Sequence, residues 1–231
     1  MIVQFIQQLN KVRELNKGMT QVLKHSLVAV LVLLVVACET TPTKQNNASR
    51  EAWLTDPAFF QASYASHANL AAWRYSAKVG VVAPDGAEQA NMIWVFERPT
   101  SNVVRLFGPL GLGAIKIEFD EQGVTLSDRK GLLHKGHNAQ QLLEDIVGLS
   151  IPVDALHYWL FSLPLPNAAY GYRLDQESQL GVLRQLGWVI NYSNYRDYDQ
   201  GEKHLARKIV ATKKVSVNET VTVTLITKSW K

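Results

Sequence analysis

The stretch YSAKVGVVAPDGAEQANMIWVF, residues 75–96, contains two segments in which apolar side chains occupy every second position. The first segment places Tyr75, Ala77, Val79 and Val81 on one side, and the second does the same with Ala90, Met92, Trp94 and Phe96. Residues two apart lie on the same face of a β-strand, and Pro84-Asp85-Gly86 between the segments is typical of a turn. The stretch therefore predicts an antiparallel hairpin with one apolar face.

The same alternation continues toward the C-terminus and predicts the other strands. We expect them at residues 103–107, 115–119, 124–127, 170–173, 181–185, 188–192, 205–211, 215–217 and 220–227. Two helices are predicted between these groups, one between Asn138 and Gly148 and one over residues 153–161 after Pro152. A further helix is predicted over residues 58–73, where apolar residues recur at spacings of three to six: Phe60, Tyr64, Leu70 and Trp73. The pattern favours a mainly β, α+β fold, a single curved antiparallel sheet of about eleven strands with helices on its concave face.

The segment LVAVLVLLVVAC, residues 27–38, precedes this body and ends in the only cysteine of the chain. Its apolar run follows Lys24 and His25 and is too short to span a ~30 Å hydrocarbon core as a helix. A charged lead, a short apolar run and a small residue before the cut are typical of a secretory signal. Val35-Val36-Ala37-Cys38 resembles the bacterial lipobox, which implies that Cys38 receives a diacylglycerol and an N-acyl chain. The alternative is a buried, inert cysteine that follows an apolar segment.

We therefore expect a lipoprotein signal peptide at residues 1–37, with Met19 as a possible true start, and a lipidated cysteine with a flexible tether at residues 38–50. One folded domain would occupy residues 51–231. Residues 1–37 hold four Lys and Arg against one acidic residue, which leaves 20 basic and 19 acidic residues in the remainder. The mature chain is thus near +1 instead of +4, and we expect no nucleic-acid partner because no basic-aromatic tract is present.

Several segments of the predicted domain match one known family in their order and spacing. They are Gly108-Pro109-Leu110-Gly111 before the strand at 115–120, Ile151-Pro152-Val153 before Trp159-Leu160 and Leu163-Pro164, the run 172–192 with Trp188, and the terminal Lys228-Ser229-Trp230-Lys231. Over about residues 50–231 the chain resembles the LolB family of lipoprotein receptors. That resemblance implies a half-open antiparallel β-barrel, with helices as a lid over an apolar cavity.

The resemblance also implies a function. The protein would accept triacylated lipoproteins from a LolA-like periplasmic carrier and insert them into the outer membrane without nucleotide. We expect a monomer with no cofactor other than the acyl chains on Cys38, anchored in the outer membrane and facing the periplasm. Glu39 agrees with that location, because an aspartate directly after the cysteine tends to retain lipoproteins of this kind at the inner membrane.

The resemblance assigns roles to particular residues. Trp94, Trp159 and Trp188 match positions of the family's acyl-chain cavity, and the alternative is that they are ordinary core tryptophans. Leu110 matches a leucine in the family's protruding membrane-insertion loop, and Leu112 adds apolar bulk beside it. Three glycines surround these two leucines, which predicts an exposed turn instead of core.

Two other classes of function compete with this interpretation. An enzyme is disfavoured because the sequence has neither a G-x-S-x-G elbow nor a phosphate-binding P-loop motif. His134 and His137 could share one face, but we expect them in a loop with no nearby carboxylate, so no metal site is predicted. The second competitor is a lipoprotein that binds a free lipid or a peptide in the same cavity without any handover, and a groove that suits acyl chains does not exclude it.

Overall fold

A computed structural model describes residues 52–99, 101–108, 114–148, 150–198 and 203–231. Cys38, Leu110 and Leu112 lie outside these described residues, as do the whole of the predicted signal peptide and of the tether. Within them the chain forms eleven strands, three α-helices and a 3-10 helix at Pro57–Phe60. The strands are β1 Ala72–Ala83, β2 Gly86–Glu97, β3 Ser101–Phe107, β4 Ile115–Asp120, β5 Gly123–Ser127, β6 Leu133–Gly136, β7 Tyr170–Leu174, β8 Leu180–Gln185, β9 Trp188–Tyr198, β10 Lys203–Lys214 and β11 Thr220–Trp230. The helices are α1 Gln61–Ala68, α2 Ala139–Val147 and α3 Val153–Leu160.

All eleven strands belong to one antiparallel sheet, whose order is β6-β5-β4-β3-β2-β1-β11-β10-β9-β8-β7. The opening hairpin forms as its alternation predicts, with Ala83 paired to Gly86 at the turn and Trp73 paired to Phe96 near the other end. The last strand returns to pair with β1, so the first and last strands lie at the centre of the sheet. β6 and β7 are its two edges, and the sheet is therefore open, as expected for a half-open barrel.

One face of this sheet carries the core. In β1 the side chains of Trp73, Tyr75 and Ala77 are buried, whereas Arg74 and Lys78, on the other side of the strand, are exposed. β11 shows the same period of two, because its odd-numbered residues from 221 to 227 are buried. The alternation in sequence therefore records which side of each strand faces the helices.

Helix α2 begins and ends where its sequence predicts. The Asn138 side chain accepts a hydrogen bond from the Gln141 N–H at 3.0 Å, and Gly148 ends the helix in the left-handed conformation, with φ +72°. Glycine adopts that conformation without steric cost. The Gln141 side chain donates forward to Asp145 and not back to the cap, so only half of a capping box is present.

Three local predictions are wrong. The helix predicted over residues 58–73 ends at Ala68, and Trp73 belongs to β1 because it pairs with β2 there. The predicted strand at 215–217 is the β10–β11 turn, closed by a hydrogen bond from the Val215 N–H to the Glu219 carbonyl at 3.0 Å. The segment with His134, predicted as a loop, forms strand β6 because it pairs with β5. In all three cases the local structure follows from which residues pair with a neighbouring strand, and the spacing of residues along the chain did not show this pairing.

Helix α3 lies across the concave face and contacts strands on both sides of the sheet's centre. Its His157 ring lies 5.7 Å from Trp94 on β2, and its Trp159 ring lies 6.2 Å from Trp188 on β9. Four strand spacings separate β2 from β9, which is roughly 19 Å at ~4.8 Å per strand. One short helix therefore packs against most of the central strands.

Candidate functional site

Two cavities lie on the concave face beneath α3, one on each side of this helix. Helix α3 packs on the sheet through one apolar side. Its buried residues are Val153, Ala155, Trp159 and Leu160, whereas Asp154 is exposed. Helix α3 starts directly after Pro152, and Pro164 and Pro166 follow its end. Proline fits the start of a helix and cannot continue one, so α3 is held to eight residues.

The smaller cavity, of about 10 Å³, lies between α3 and strands β9, β10 and β11. All of its lining is apolar: Ile151, Leu156, Trp159, Trp188, Ile209, Ala211, Val223 and Leu225. A space of this size is at the lower limit for one water molecule, and a lining without polar groups gives water no hydrogen bonds. The interface between α3 and the sheet is therefore dry and closely packed.

The larger cavity, of about 360 Å³, lies on the other side of α3, over strands β1 to β4. Aromatic side chains form its floor, and polar and charged groups form part of its wall. The lining consists of His67, Trp73, Trp94, Phe96, Arg98, Asn102, Phe119, Val153, Asp154, His157 and Tyr158. This cavity is amphipathic, whereas the apolar cavity that the resemblance implied corresponds only to the small space beside Trp159.

The three predicted tryptophans are fully buried but do not form one group. Trp159 and Trp188 pack together and line the smaller cavity. Trp94 lines the larger one, where its ring faces Phe119 at 6.5 Å and its Nε1 donates to Asn102 Oδ1 at 2.8 Å. Each cavity is thus bounded by at least one of the tryptophans that the sequence pointed to.

Gln185 fixes the segment that follows α3, and sequence reasoning missed it. Its side chain is buried and its Oε1 accepts hydrogen bonds from Trp159 Nε1 at 3.0 Å and from the Leu165 N–H at 2.8 Å. Its Nε2 donates to the carbonyls of Leu165 at 2.9 Å and Ala168 at 3.2 Å. This buried amide holds the segment after α3 in one position, since moving that segment would leave buried polar groups without hydrogen-bond partners, which is costly. No local pattern marks it, because the partners lie 17 to 26 residues away.

A pair of histidines joins α1 to α3 at the wall of the larger cavity. His67 Nε2 and His157 Nε2 are 3.0 Å apart and share a hydrogen bond. Burial lowers the pKa of His157 to about 4, with further contributions from His67 and Arg98, and burial also lowers the pKa of His67. Both rings are therefore neutral at pH 7, and the N–H of one donates to the unprotonated nitrogen of the other. His67 thus has a hydrogen-bonded role at this wall.

Arg98 places a positive charge at the same wall. Its guanidinium donates to the Ala68 carbonyl at 3.2 Å, at the end of α1, and lies 5.6 Å from the centre of the Phe96 ring. Arg98 follows β2 directly, and its main-chain N–H donates to the Ala71 carbonyl at 2.9 Å. Its side chain thus connects the end of α1 to the sheet.

The expectation that no carboxylate lies near His134 and His137 is wrong. Asp128 Oδ2 lies 3.3 Å from His134 Nε2, because the β5–β6 turn brings the two together. His137 Nδ1 instead faces the Gln122 carbonyl at 3.2 Å. Among the described residues no group of three His, Cys, Asp or Glu side chains is arranged to hold a metal ion. Nor is any of the described helices long and apolar enough to cross a bilayer.

A family model described as outer membrane lipoprotein LolB matches residues 71–230, which include every residue that lines the two cavities except His67. The chain belongs to the LolB family. The outer-membrane lipoprotein LolB of Francisella tularensis subsp. novicida is 29% identical over 208 residues, 90% of this chain and 94% of that protein. LolB of Pseudomonas putida is 30% identical over 76% of this chain and 83% of that protein. Among solved structures, a LolA superfamily protein from Nitrosomonas europaea is similar with a TM-score of 0.43 and 10% identity, over 69% of this chain and 85% of that chain.

Membership in the LolB family confirms the resemblance seen in the sequence and places the protein in the outer membrane. The family is one of lipoprotein receptors with an insertion role, and it is not enzymatic. It implies LolA and lipoprotein cargo as interaction partners. The concave face beneath α3 is therefore the candidate site for the cargo.

Proposed function

We propose that this LolB protein accepts the acyl chains of lipoproteins from a LolA-like carrier beneath α3 and releases them into the outer membrane without nucleotide. Residues 1–37 would be removed as a signal peptide, and residues 38–50 would tether the domain of residues 51–231 to lipids on Cys38. The protein would act as a monomer. The observation that carries this proposal is the dry, wholly apolar interface between α3 and strands β9 to β11.

This interface suits acyl chains because it already contains the environment they need. A cavity of about 10 Å³ cannot hold an acyl chain, so α3 must move away from the sheet for one to enter. The chain would then cover the apolar side chains that α3 uncovers, and neither surface would meet water. Exposure of apolar surface costs ~25 cal/mol per Å², so this exchange avoids most of the cost of opening.

The tryptophans would contribute in two ways. Trp188 lies on the sheet and offers a large flat surface to a chain, whereas Trp159 lies on α3 and would leave with it. Trp94 lines the cavity over β1 to β4, which is already open and has a volume of about 360 Å³. Large aromatic surfaces suit acyl chains because such chains need contact area more than directional bonds.

An alignment with a relative named as an outer-membrane lipoprotein supports the lipid anchor. Only 23 of the 231 positions lie outside the alignment with the Francisella protein, so that alignment must include residues 27–38. A single acyl chain gives only marginal membrane binding, at ~0.8 kcal/mol per buried methylene, and stable anchoring takes at least two. A diacylglycerol together with an N-acyl chain on Cys38 would meet that requirement.

Leu110 and Leu112 would deliver the cargo. The segment that contains them connects β3 to β4, and its flanking residues Leu106 and Ile115 are paired at the end of the sheet where β2 begins. A loop leaving the sheet there, with two leucines among three glycines, is poor core material and suits contact with lipid. The direction of cargo transfer would be set by differences in affinity alone, because cargo moves to the site that binds it more tightly.

A transfer assay tests the proposal. LolA loaded with a lipoprotein is mixed with this protein carrying Cys38→Ala and lacking its signal, and the cargo is followed by co-purification. We expect the cargo to move to this protein without nucleotide. In a second step with phospholipid vesicles, Leu110→Glu should accept cargo normally but deliver it several-fold more slowly.

Gln122→Glu is the matched control, because it adds the same charge in the exposed β4–β5 turn at the other end of the sheet. It should accept and deliver like the unchanged protein. Cargo that stays on LolA while this protein is folded would refute the handover. Equal delivery by Leu110→Glu and Gln122→Glu would refute the role of the loop.

A further inference from the structure

Exposed apolar side chains are concentrated at one end of the sheet. Of the eight large apolar residues that are exposed in the described part of the chain, six lie in or beside turns at this end: Val82, Leu132, Leu133, Leu186, Val215 and Val217. We call these six residues the rim. They lie up to 135 residues apart in sequence, so only the fold brings them to the same end.

Strand register establishes that the turns share this end. Val82 pairs with Thr222, which places the β1–β2 turn beside the β10–β11 turn. Thr212 pairs with Val189, which adds the β8–β9 turn. On the other side of the sheet, Asn91 in the middle of β2 pairs with Phe107 at the end of β3, so β3 ends on the side of the sheet where β2 begins. Strand β4 starts at the same end, and its Lys116 pairs with Ser127 at the end of β5.

A side-chain contact confirms this arrangement independently. Arg129 in the β5–β6 turn donates to Glu88 near the start of β2, at 2.8 Å. The end of β3 and the start of β4, which flank Leu110 and Leu112 in the sequence, lie in the sheet between the β1–β2 hairpin and the β5–β6 turn. The rim therefore has members on both sides of these two strand ends.

The rim side chains have no evident role in folding. Val217 is 90% exposed at the tip of its turn, and Leu133 is 66% exposed. Leu186 is almost half exposed and adopts φ +53°, in a two-residue turn with Gly187 at φ +77°. Two-residue hairpin turns with positive φ at both positions strongly prefer Asn or Gly at the first. A leucine held there against its preference, with its side chain in solvent, indicates a use for that side chain outside the fold.

The charges at this end define the occupant further. Cations outnumber anions here. Within three strand residues of the turns and strand ends at this end lie eight cations and four anions: Arg105, Lys116, Arg129, Lys130, Lys135, Arg184, Lys213 and Lys214, and Asp85, Glu88, Asp128 and Glu219. An apolar surface with an excess of positive charge fits the interface of a lipid bilayer, where apolar tips enter the boundary between head groups and acyl chains and cations meet the lipid phosphates.

We propose that the rim is a membrane-docking surface, by which the folded domain lies on the inner leaflet of the outer membrane with its β1–β2, β5–β6, β8–β9 and β10–β11 turns in the lipid interface. The inference rests on the proposed function, in that it gives the Leu110 loop a surface that holds it against the bilayer. The cavity lined by Phe96, Arg98 and Asn102 lies toward the opposite end of the sheet, by the β2–β3 turn. The docked domain would thus keep that cavity away from the bilayer.

Depth measurements on the lipidated full-length protein test this docking. Cys38 is the only cysteine, so its lipidation leaves no free thiol, and single cysteines can be labelled with an environment-sensitive fluorophore. Val217→Cys probes the rim. Glu177→Cys is the matched control, because it lies exposed in the β7–β8 turn at the opposite end. Both proteins are reconstituted in phosphatidylethanolamine–phosphatidylcholine vesicles that contain a lipid-borne quencher.

We expect the label at 217 to shift to shorter wavelength and to be quenched several-fold more than the label at 177. Added salt should change this difference little, since phosphatidylethanolamine and phosphatidylcholine carry no net charge. Equal quenching at the two positions would overturn the proposal. So would a shift at 217 that requires LolA and no vesicles, because the rim would then be a protein-binding surface.

A functional measurement separates this inference from the proposed function. The double variant Leu132→Gln with Leu133→Gln should accept cargo from LolA at the unchanged rate and deliver it to vesicles several-fold more slowly. Failure of the unchanged protein to accept cargo would refute the handover without affecting the labelling result. Normal delivery by the double variant, together with an unquenched label at 217, would refute the proposal that the rim docks on the membrane.

Discussion

The histidine pair between α1 and α3 makes the stability of the domain depend on pH in a defined direction. His157 is held neutral beside Trp73, Trp94 and Phe96, and its pKa in the folded protein is about 4 against an ordinary value of 6.5. Between these two values the unfolded chain binds a proton at this residue and the folded protein does not. Acid therefore favours unfolding, and the contribution of His157 is complete only above pH 6.5.

The magnitude follows from the difference between the two pKa values. Each unit is worth 1.36 kcal/mol, so a fall from pH 7 to pH 4 removes about 3 kcal/mol of unfolding free energy through His157. The lowered pKa of His67 acts in the same direction. The other charged groups at this wall are Arg98 and Asp154, and the positive charge of Arg98 opposes protonation of both rings.

Urea unfolding of the unchanged protein and of His157→Gln, at several pH values from 7.5 to 4, measures the effect. Glutamine retains a polar partner for His67 and does not titrate. We expect the difference in unfolding free energy between the two proteins to change by about 3 kcal/mol over this range, with the unchanged protein losing more in acid. Carboxylates elsewhere titrate in both proteins and cancel. A difference that stays constant from pH 7.5 to 4, or one that grows in favour of the unchanged protein, would refute this account of the pair.

Three further substitutions test parts of the structure. Gln185→Ala removes the acceptor of Trp159 Nε1 and should lower the unfolding free energy by about 2–4 kcal/mol in urea titrations, because buried partners lose their bonds, whereas Gln89→Ala on the surface should change it by less than about 0.5 kcal/mol. Leu186→Asn should raise the melting temperature, since it relieves about 1 kcal/mol of left-handed strain, and should slow delivery to vesicles if the rim contacts lipid; a lower melting temperature would contradict the strain. Gly123→Ala should cost at least about 2 kcal/mol, because its φ is +139° and a Cβ would lie 2.3 Å from the Gly136 carbonyl oxygen, while Gly80→Ala, with open space around it, should be nearly neutral in the same thermal scans.

The sequence predicted the sheet well because strands carry a short and repeated signal. Alternation over residues 75–96 fixed both the hairpin and the buried face, and Asn138 with Gly148 fixed the ends of α2. Elsewhere the spacing of apolar residues gave wrong predictions, because it does not show which residues pair with a neighbouring strand. Val215 and Val217 alternate with serine yet lie in a turn, and Leu70 and Trp73 continue a helical spacing after α1 has ended.

The site was less predictable, because its contacts join distant parts of the chain. His67 and His157 are 90 residues apart, and neither lies in a pattern that predicts the other. Gln185 is a polar residue in a strand, and only the packed structure shows that it binds the segment after α3. The tryptophans could be identified from the family resemblance, but their division between two cavities depends on where α3 crosses the sheet. Such contacts are set by tertiary packing, which no local period encodes.

The central claim is that the acyl chains of the cargo occupy the space beneath α3. The most direct measurement uses a lipoprotein whose acyl chains carry a photoreactive group, loaded on LolA, mixed with this protein and irradiated, with the crosslinked peptides identified by mass spectrometry. We expect crosslinks to residues 151–159 and to the facing strands at Trp188, Ile209 and Val223, and we expect them only when LolA has delivered its cargo. Crosslinks confined to the outer face of the sheet, or cargo that remains bound to LolA, would contradict the claim.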